Sequence, residues 1–210
     1  MIYYIFGKSA SGKDTIYKRL IAETGWRRVV PYTTRPIRDG EKEGVEYHFI
    51  SRGALKKLRE DGRVIEERVY HTVYGDWYYA TVDDGQIKPS GEDDYLMIGV
   101  LSSFLSIRAY YGKDYVFPIY IEVPDAIRLE RATKREMQEK IPKLEEMKRR
   151  FLADNQDFSE ENLRKAGIGK HYQNIDLGTD IVHPDGIRLF VGYIDDIGLI
   201  MIHRLFAGAA

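Results

Sequence analysis

Residues 2–25 read IYYIFGKSASGKDTIYKRLIAETG, and this stretch decides the fold. Ile2 to Phe6 form an apolar, aromatic and β-branched run that ends at Gly7, the pattern of a buried strand. Beyond it Ile16, Leu20 and Ile21 recur at helical spacing until Gly25 supplies the stop. Between strand and helix, Gly7, Gly12 and Lys13 have the spacing G-x-x-x-x-G-K. Glycines at those places let successive N–H groups close around a polyphosphate, while the following helix points its positive end at the same anion. The candidate phosphate-binding set is Gly7, Ser9, Ala10, Ser11, Gly12, Lys13, Asp14 and Thr15, with Lys13 reaching the β and γ phosphates. Three fixed letters are a weak signal by themselves; their place between a strand and a helix is what strengthens it. Asp14 stands where a metal-binding hydroxyl is expected. A carboxylate there would hold magnesium or one of its waters, with the Thr15 hydroxyl one residue on; equally, Asp14 would favour the helix N-terminus.

Outward from this unit, RRVVPY (27–32) reads as a short second strand cut off at Pro31. Strand, glycine loop, helix, strand is the start of a parallel α/β sheet. Residues 33–80 change character: SRGALKKLRED (51–61) is a short helix capped by Ser51, set among the β-rich segments VEYHFI, RVIEERVYHTVY and WYYATV. The core pattern resumes with YLMIGV (95–100), a helix around SSFLSIRAYY, and VFPIYIEV (116–123). Two polar helices follow, separated at Pro142, then a polar stretch near 155–172, a weak strand DIV (180–182) and an apolar closing helix through IDDIGLIMIHRL. The expected organisation is a core of residues 1–32 and 81–210 with a small α+β lobe, 33–80, inserted into it.

Composition narrows the chemistry. There is no cysteine among the 210 residues, which excludes disulfides, thiolate metal sites and thiol catalysis. A net charge of −1 leaves no overall footprint for nucleic acid or an acidic membrane. No run of about 18 apolar residues and no secretory pattern is present, so a cytoplasmic location is expected. The five histidines have no metal-ligand spacing.

A second motif carries the functional weight: YTTRPIRDGEKEGVEYHFIS (32–51). Arg35 and Arg38 flank a proline that keeps them out of a regular helix, and paired guanidinium groups suit bidentate capture of a phosphate. Tyr47 would add a hydroxyl and Glu41 an acceptor. Standing alone, the segment reads as a solvated charged hairpin. Coming some twenty residues after a phosphate loop, T-T-R-P-x-R-x-G-E-x-x-G-x-x-Y-x-F resembles the guanylate kinase family, and with the downstream order of elements the resemblance covers most of the first 155 residues.

What the resemblance implies is a P-loop NTPase-type three-layer α/β core with a parallel sheet, an inserted nucleoside-monophosphate-binding lobe and a helical lid at about 131–149. It implies transfer of a phosphoryl group from ATP to GMP with Mg2+, on small-molecule nucleotides, by a monomer or homodimer. By position, Arg35, Arg38 and Tyr47 match the family's ligands for the acceptor phosphate, and Glu41 its nucleoside-side carboxylate. VIEERVYHTVYG is similar to the family's F-x-E…Y-G stretch, which makes Glu66 the guanine-facing carboxylate, with Glu67 the alternative, and Tyr74 a phosphate ligand. RLERATKRE and KRRFLAD resemble the lid, with Arg131 and Arg149 as catalytic arginines and Arg150 the alternative to the second.

Three departures from the family pattern stand out. Asp14 replaces the hydroxyl, Pro31 replaces a base-contacting serine, and Ile98, Gly99 and Val100 occur where an aspartate pair is usual. Phosphate-handling residues are therefore present while base-reading ones are thinned. One hypothesis is that Asp14 has taken over from the absent aspartates near the metal. Two other readings remain open at this point. One is a related kinase for another phosphorylated acceptor, such as ribose 1,5-bisphosphate or a different nucleoside monophosphate, because a G-K-D-[ST] loop is similar to that of ribose 1,5-bisphosphate kinases. The other is a non-catalytic guanylate kinase-like binding module.

Overall fold

Strand β1 (Ile2–Phe6) is buried along its whole length and runs between β7 (Tyr95–Gly99) and β8 (Val116–Glu122), parallel to both. The computed structural model describes residues 1–72, 74–88, 91–139, 142–174, 180–182 and 188–190. Beyond β7 lies the two-residue β2 (Arg27–Arg28), and beyond β8 lies β9 (His171–Asn174), which completes five parallel strands. β10 (Asp180–Val182) and β11 (Arg188–Phe190) extend the sheet antiparallel, giving the order β11-β10-β9-β8-β1-β7-β2.

The alternation of β1 builds the three layers. Tyr3 and Ile5 face α1 (Lys13–Thr24), packing with Ile16, Leu20, Leu96, Ile119 and Ile121. Ile2, Tyr4 and Phe6 face the other way, onto Phe104 and Ile107 of α3 (Leu101–Tyr111) and onto Phe158 and Leu163. Each large side chain so buried contributes about 1.5–3 kcal/mol. α4 (Asp125–Glu136) and α5 (Leu144–Asp157) follow β8 and pack on each other, and α6 (Glu160–Lys165) then leads to β9. The stretch read from sequence as merely polar thus holds the end of α5, all of α6 and the start of β9. Its apolar residues, Phe158, Leu163, Ala166 and Ile168, are buried against the sheet.

A second, four-stranded sheet has the order β4-β3-β6-β5, from β3 (Tyr32–Thr33), β4 (His48–Phe49), β5 (Val64–Thr72) and β6 (Gly75–Val82). Leu55 of α2 (Arg52–Glu60) packs against its Ala80 and Val82. The Ser51 hydroxyl caps α2 by accepting from the Ala54 N–H at 3.1 Å, a contact of about 1 kcal/mol. RRVVPY is not one strand. β2 ends at Arg28, and Tyr32 already belongs to the second sheet. The chain changes sheets at Val29–Pro31, where Gln86 replaces a neighbouring strand: its side-chain oxygen accepts from the Val30 N–H at 2.8 Å and its amide donates to the Val30 carbonyl at 3.1 Å. The expected closing helix at 194–205 lies outside the described residues. Among those residues no helix is long and apolar enough to cross a membrane.

Candidate active site

The glycine loop crosses the C-terminal end of β1, at the place in an open parallel sheet where neighbouring strands lead off in different directions. Gly7 is required there: a Cβ would meet the Ile121 carbonyl oxygen at 2.5 Å. Gly12 has φ +82°, and a Cβ on it would collide with the Asn174 side chain, whose amide donates to the Ser11 carbonyl at 2.8 Å. Ala10 also holds a positive φ, 61°. Four further side chains, which motif reading missed, hold the loop from behind. Arg128 is fully buried and donates to the Ser9 carbonyl (3.0 Å), to Asp125 (2.7 Å) and to Asn155 (2.8 Å), with its guanidinium 4.3 Å from the centre of the Phe151 ring. Asp154 accepts from the Ser9 N–H at 2.7 Å, so that one amide of the expected phosphate-binding set is already committed to a carboxylate. Lys8 is tied to Asn155 (2.9 Å) and Asp125 (3.3 Å). At the front of the loop Lys13 and Asp14 both line a cleft of about 1370 Å3, their charged groups 3.9 Å apart, and the Asp14 side chain is 78% exposed.

The cleft's other wall comes from the second sheet. Arg38, Tyr47, Glu66 and Tyr74 line it, together with Arg68, Tyr70 and Tyr79. Burial raises the Tyr47 hydroxyl above its usual range. Tyr74 stands well into solvent and stacks on Trp77 at 6.3 Å. Between the two candidate glutamates the geometry distinguishes sharply. A β-bulge between Val64 and Glu66 sets the strand's facing, and Glu66 turns inward, accepting from the hydroxyls of Thr81 (2.9 Å) and Ser103 (3.0 Å). Glu67 turns out and forms a bidentate pair with Arg59 at 2.7 and 2.9 Å.

Arg35 and Glu41 are brought together but placed differently from expectation: neither lines the cleft. The buried Arg35 guanidinium donates both terminal nitrogens to Glu41 (2.7 and 2.5 Å) and its Nε to the Tyr79 hydroxyl (3.1 Å). Glu41 also accepts from the Arg38 N–H at 2.9 Å. The Arg35 hydrogen bonds hold the Glu41 carboxyl down at about 2. This pair fixes the loop that presents Arg38.

The two expected lid arginines separate likewise. Arg131 donates to the Asn174 carbonyl at 3.0 Å and is not among the cleft-lining residues. Arg149 and Arg150 both line the cleft. Arg149 is bound to Glu146 through two contacts of 2.8 Å, whereas the nearest carboxylates to Arg150 lie at 3.8 and 3.9 Å.

A family model described as guanylate kinase matches residues 2–163, three-quarters of the chain. The chain belongs to the guanylate kinase family. The guanylate kinase of Neisseria gonorrhoeae is 38% identical over 102 residues, 47% of this chain and 48% of that one. That of Symbiobacterium thermophilum is 43% identical over 79 residues, 37% and 36% of the two. The chain thus spans about half the length of the curated relatives it matches, or less. The crystal structure of guanylate kinase from Anaplasma phagocytophilum superposes with a TM-score of 0.54 over 84% of this chain and 77% of that one, at 21% identity, a likeness of fold.

Within this guanylate kinase fold all the departures of sequence line the cleft, Asp14 at the front of the loop and Pro31, Ile98, Gly99 and Val100 elsewhere on its wall. Gly99 ends β7 in register with Phe6, and the space a Cβ would need is filled by the Tyr4 hydroxyl. Burial, and after it the Glu66 charge, push that hydroxyl's pKa up. Tyr4, Pro31, Glu66, Arg68, Thr81 and Gly99 are all lining residues. Arg68 is one of the lining cations that the motif did not announce.

Proposed function

We propose that this protein transfers the γ-phosphoryl group of ATP to GMP. The observation that carries the proposal is a single cleft in which Lys13 of the glycine loop faces Arg38, Tyr47 and Glu66 of the second sheet. At about 1370 Å3 it exceeds the roughly 300–1,000 Å3 that one small ligand occupies, and so has room for two. In this reading residues 33–80 are the acceptor lobe, the remainder is the donor core, and the α4–α5 pair is the lid.

The chemistry asks mainly for positioning and charge compensation. A GMP phosphate oxygen forms the new bond to the γ-phosphorus as the bond to the β,γ-bridging oxygen breaks, and ADP leaves with that oxygen. The attacking oxygen is already ionised at neutral pH, so no general base is needed. Lys13 would hold the β and γ phosphates at the positive end of α1. Arg38, Tyr47 and Tyr74 would hold the acceptor phosphate, and Arg149 and Arg150 would meet the transferring group from the lid side. Arg35 and Glu41 act as positioning residues for Arg38, and Arg131 acts through β9 and Asn174 on the glycine loop. Glu66, with two protein hydroxyls already on it, still has lone pairs to accept from a base.

Asp14 would hold magnesium; Thr15, the other expected ligand, is exposed and does not line the cleft. Among the described residues no three His, Asp or Glu side chains converge as a metal cage. A single exposed carboxylate beside the loop fits an ion that keeps most of its waters and takes the rest of its ligands from phosphates. When bound, the ion would neutralise part of the phosphate charge.

The test is a coupled turnover assay with ATP and magnesium against GMP, dGMP, AMP, CMP, UMP and ribose 1,5-bisphosphate. Strong preference for GMP is the expected result. Preference for another acceptor, or ATP binding without any turnover, would overturn the proposal.

A further inference from the structure

Arg68 occupies the inner end of the cleft beside Glu66, two residues along β5 and therefore on the same face of the strand. Its side chain is only 27% exposed, and its enclosed Nε has no hydrogen-bond partner among the described residues, although Glu66 Oε2 lies 3.3 Å away. The ion pair with Glu66 offsets the buried charge, but an enclosed N–H without a hydrogen bond still calls for an explanation. Glu66 does not provide it. Its Oε2 forms an ion pair with Arg68 without the alignment of a hydrogen bond, and its lone pairs beyond those taken by Thr81 and Ser103 stay open. Gly99 offers no side-chain acceptor, and the Tyr4 hydroxyl that fills its space makes no hydrogen bond with the Arg68 Nε. Pro31, on the same lining, has no N–H and no hydroxyl to donate.

The inner end of the cleft therefore presents a carboxylate next to a forked donor. That pair matches an edge carrying two N–H donors beside a carbonyl oxygen, which is the arrangement of N1–H, N2–H and O6 on guanine. Arginine commonly meets guanine through O6 and N7. Adenine would place an amino group against the guanidinium.

We propose that Arg68 is a specificity-determining residue that donates to O6 and N7 of the acceptor purine while Glu66 accepts from N1–H and N2–H. This rests on GMP as the acceptor, and it assigns the base-reading donor to β5.

The test is calorimetric binding of GMP, IMP and 7-deaza-GMP to the wild type, Arg68→Met and Arg68→Lys. ATP binding and thermal midpoints serve as controls of folding. Arg68→Met should weaken GMP binding about tenfold to a hundredfold, the size of one bidentate base contact. It should also abolish most of the preference for GMP over 7-deaza-GMP, which lacks only the N7 acceptor. The preference over IMP, which lacks only the amino group facing Glu66, should survive. A loss of packing alone would weaken all three nucleotides together. Arg68→Lys keeps the charge beside Glu66 but not the fork, and should lie between the two; it decides the matter if the Met variant does not fold. Unchanged or improved GMP affinity in the variants, with the wild type binding GMP, would overturn the role of Arg68 alone. A wild type that binds ATP but not GMP would overturn the functional reading as well.

Discussion

Glu41 has both carboxylate oxygens committed within its own loop, to the Arg35 guanidinium and the Arg38 N–H. Its folded pKa, about 2, lies below the ordinary 4.5, so the stabilisation it brings is fully present above about 4.5 and is lost as pH falls toward 2. Protonation would leave the buried Arg35 opposite a neutral acid, with only Tyr79 and the Pro36 carbonyl as further partners. Glu41→Gln removes that titration. Thermal midpoints of wild type and variant followed against pH should differ most near neutrality, with the variant lower, and the gap should narrow between about pH 4.5 and 2. The same variant should raise the KM for GMP more than that for ATP, because Arg38 sits on the loop that Glu41 braces. A gap that does not change with pH would mean that the pair is not the source of the stability.

At the scale of elements, α4, α5 and the glycine loop meet at one buried side chain, Arg128. Arg128 of α4 reaches Ser9 in the loop and Asn155 in α5, and Asp154 of α5 receives the Ser9 N–H. Arg128→Met would leave Asp154 without its cation and Asp125 with Lys8 alone. Because Asp125 is half exposed and keeps Lys8, the loss is chiefly that of hydrogen bonds to a charged group, about 1.5–3 kcal/mol. Urea unfolding should show a loss of that order, and ATP affinity should fall more than GMP affinity; a variant within about 1 kcal/mol of wild type would contradict the role given to Arg128. None of this was legible in the sequence. β1, the glycine loop and α1 were, because an apolar run, a tight turn and helical spacing are local properties. An arginine in a polar helix carries no local mark of burial, since its partner Ser9 lies 119 positions away. The bulge that turns Glu66 inward, and the Glu41 pairing that takes Arg35 out of the cleft, are likewise settled by tertiary contacts. The motif identified the chemistry of the second lobe better than it identified which residues reach the cleft.

At the scale of the whole molecule, charge is segregated. The chain carries −1 overall, yet eight lysines and arginines and four carboxylates line the cleft, an excess of four positive charges where the two sheets face each other. Such a cleft concentrates anions in a way that net charge does not reveal. It also sets a condition on two-substrate binding, for two polyanions would repel each other unless the cations between them are shared. Lys13 on one wall and Arg38 on the other, with Arg149 and Arg150 on the lid side, are placed to be shared. A non-hydrolysable ATP analogue with magnesium, and GMP, should therefore each stabilise the protein when present at about 100 times its Kd, by about 2.7 kcal/mol. For a domain of this size that is a rise in midpoint of about 5–11 °C for each ligand. With both present the increments should add or exceed the sum, because each ligand fills its own subsite and the shared cations are already ordered. Differential scanning calorimetry with each ligand and with both distinguishes this from competition for one phosphate site, in which the pair would raise the midpoint no further than the better ligand alone. Raising the ionic strength should lower both single-ligand shifts, since screening weakens the attraction that draws the anions into the cleft.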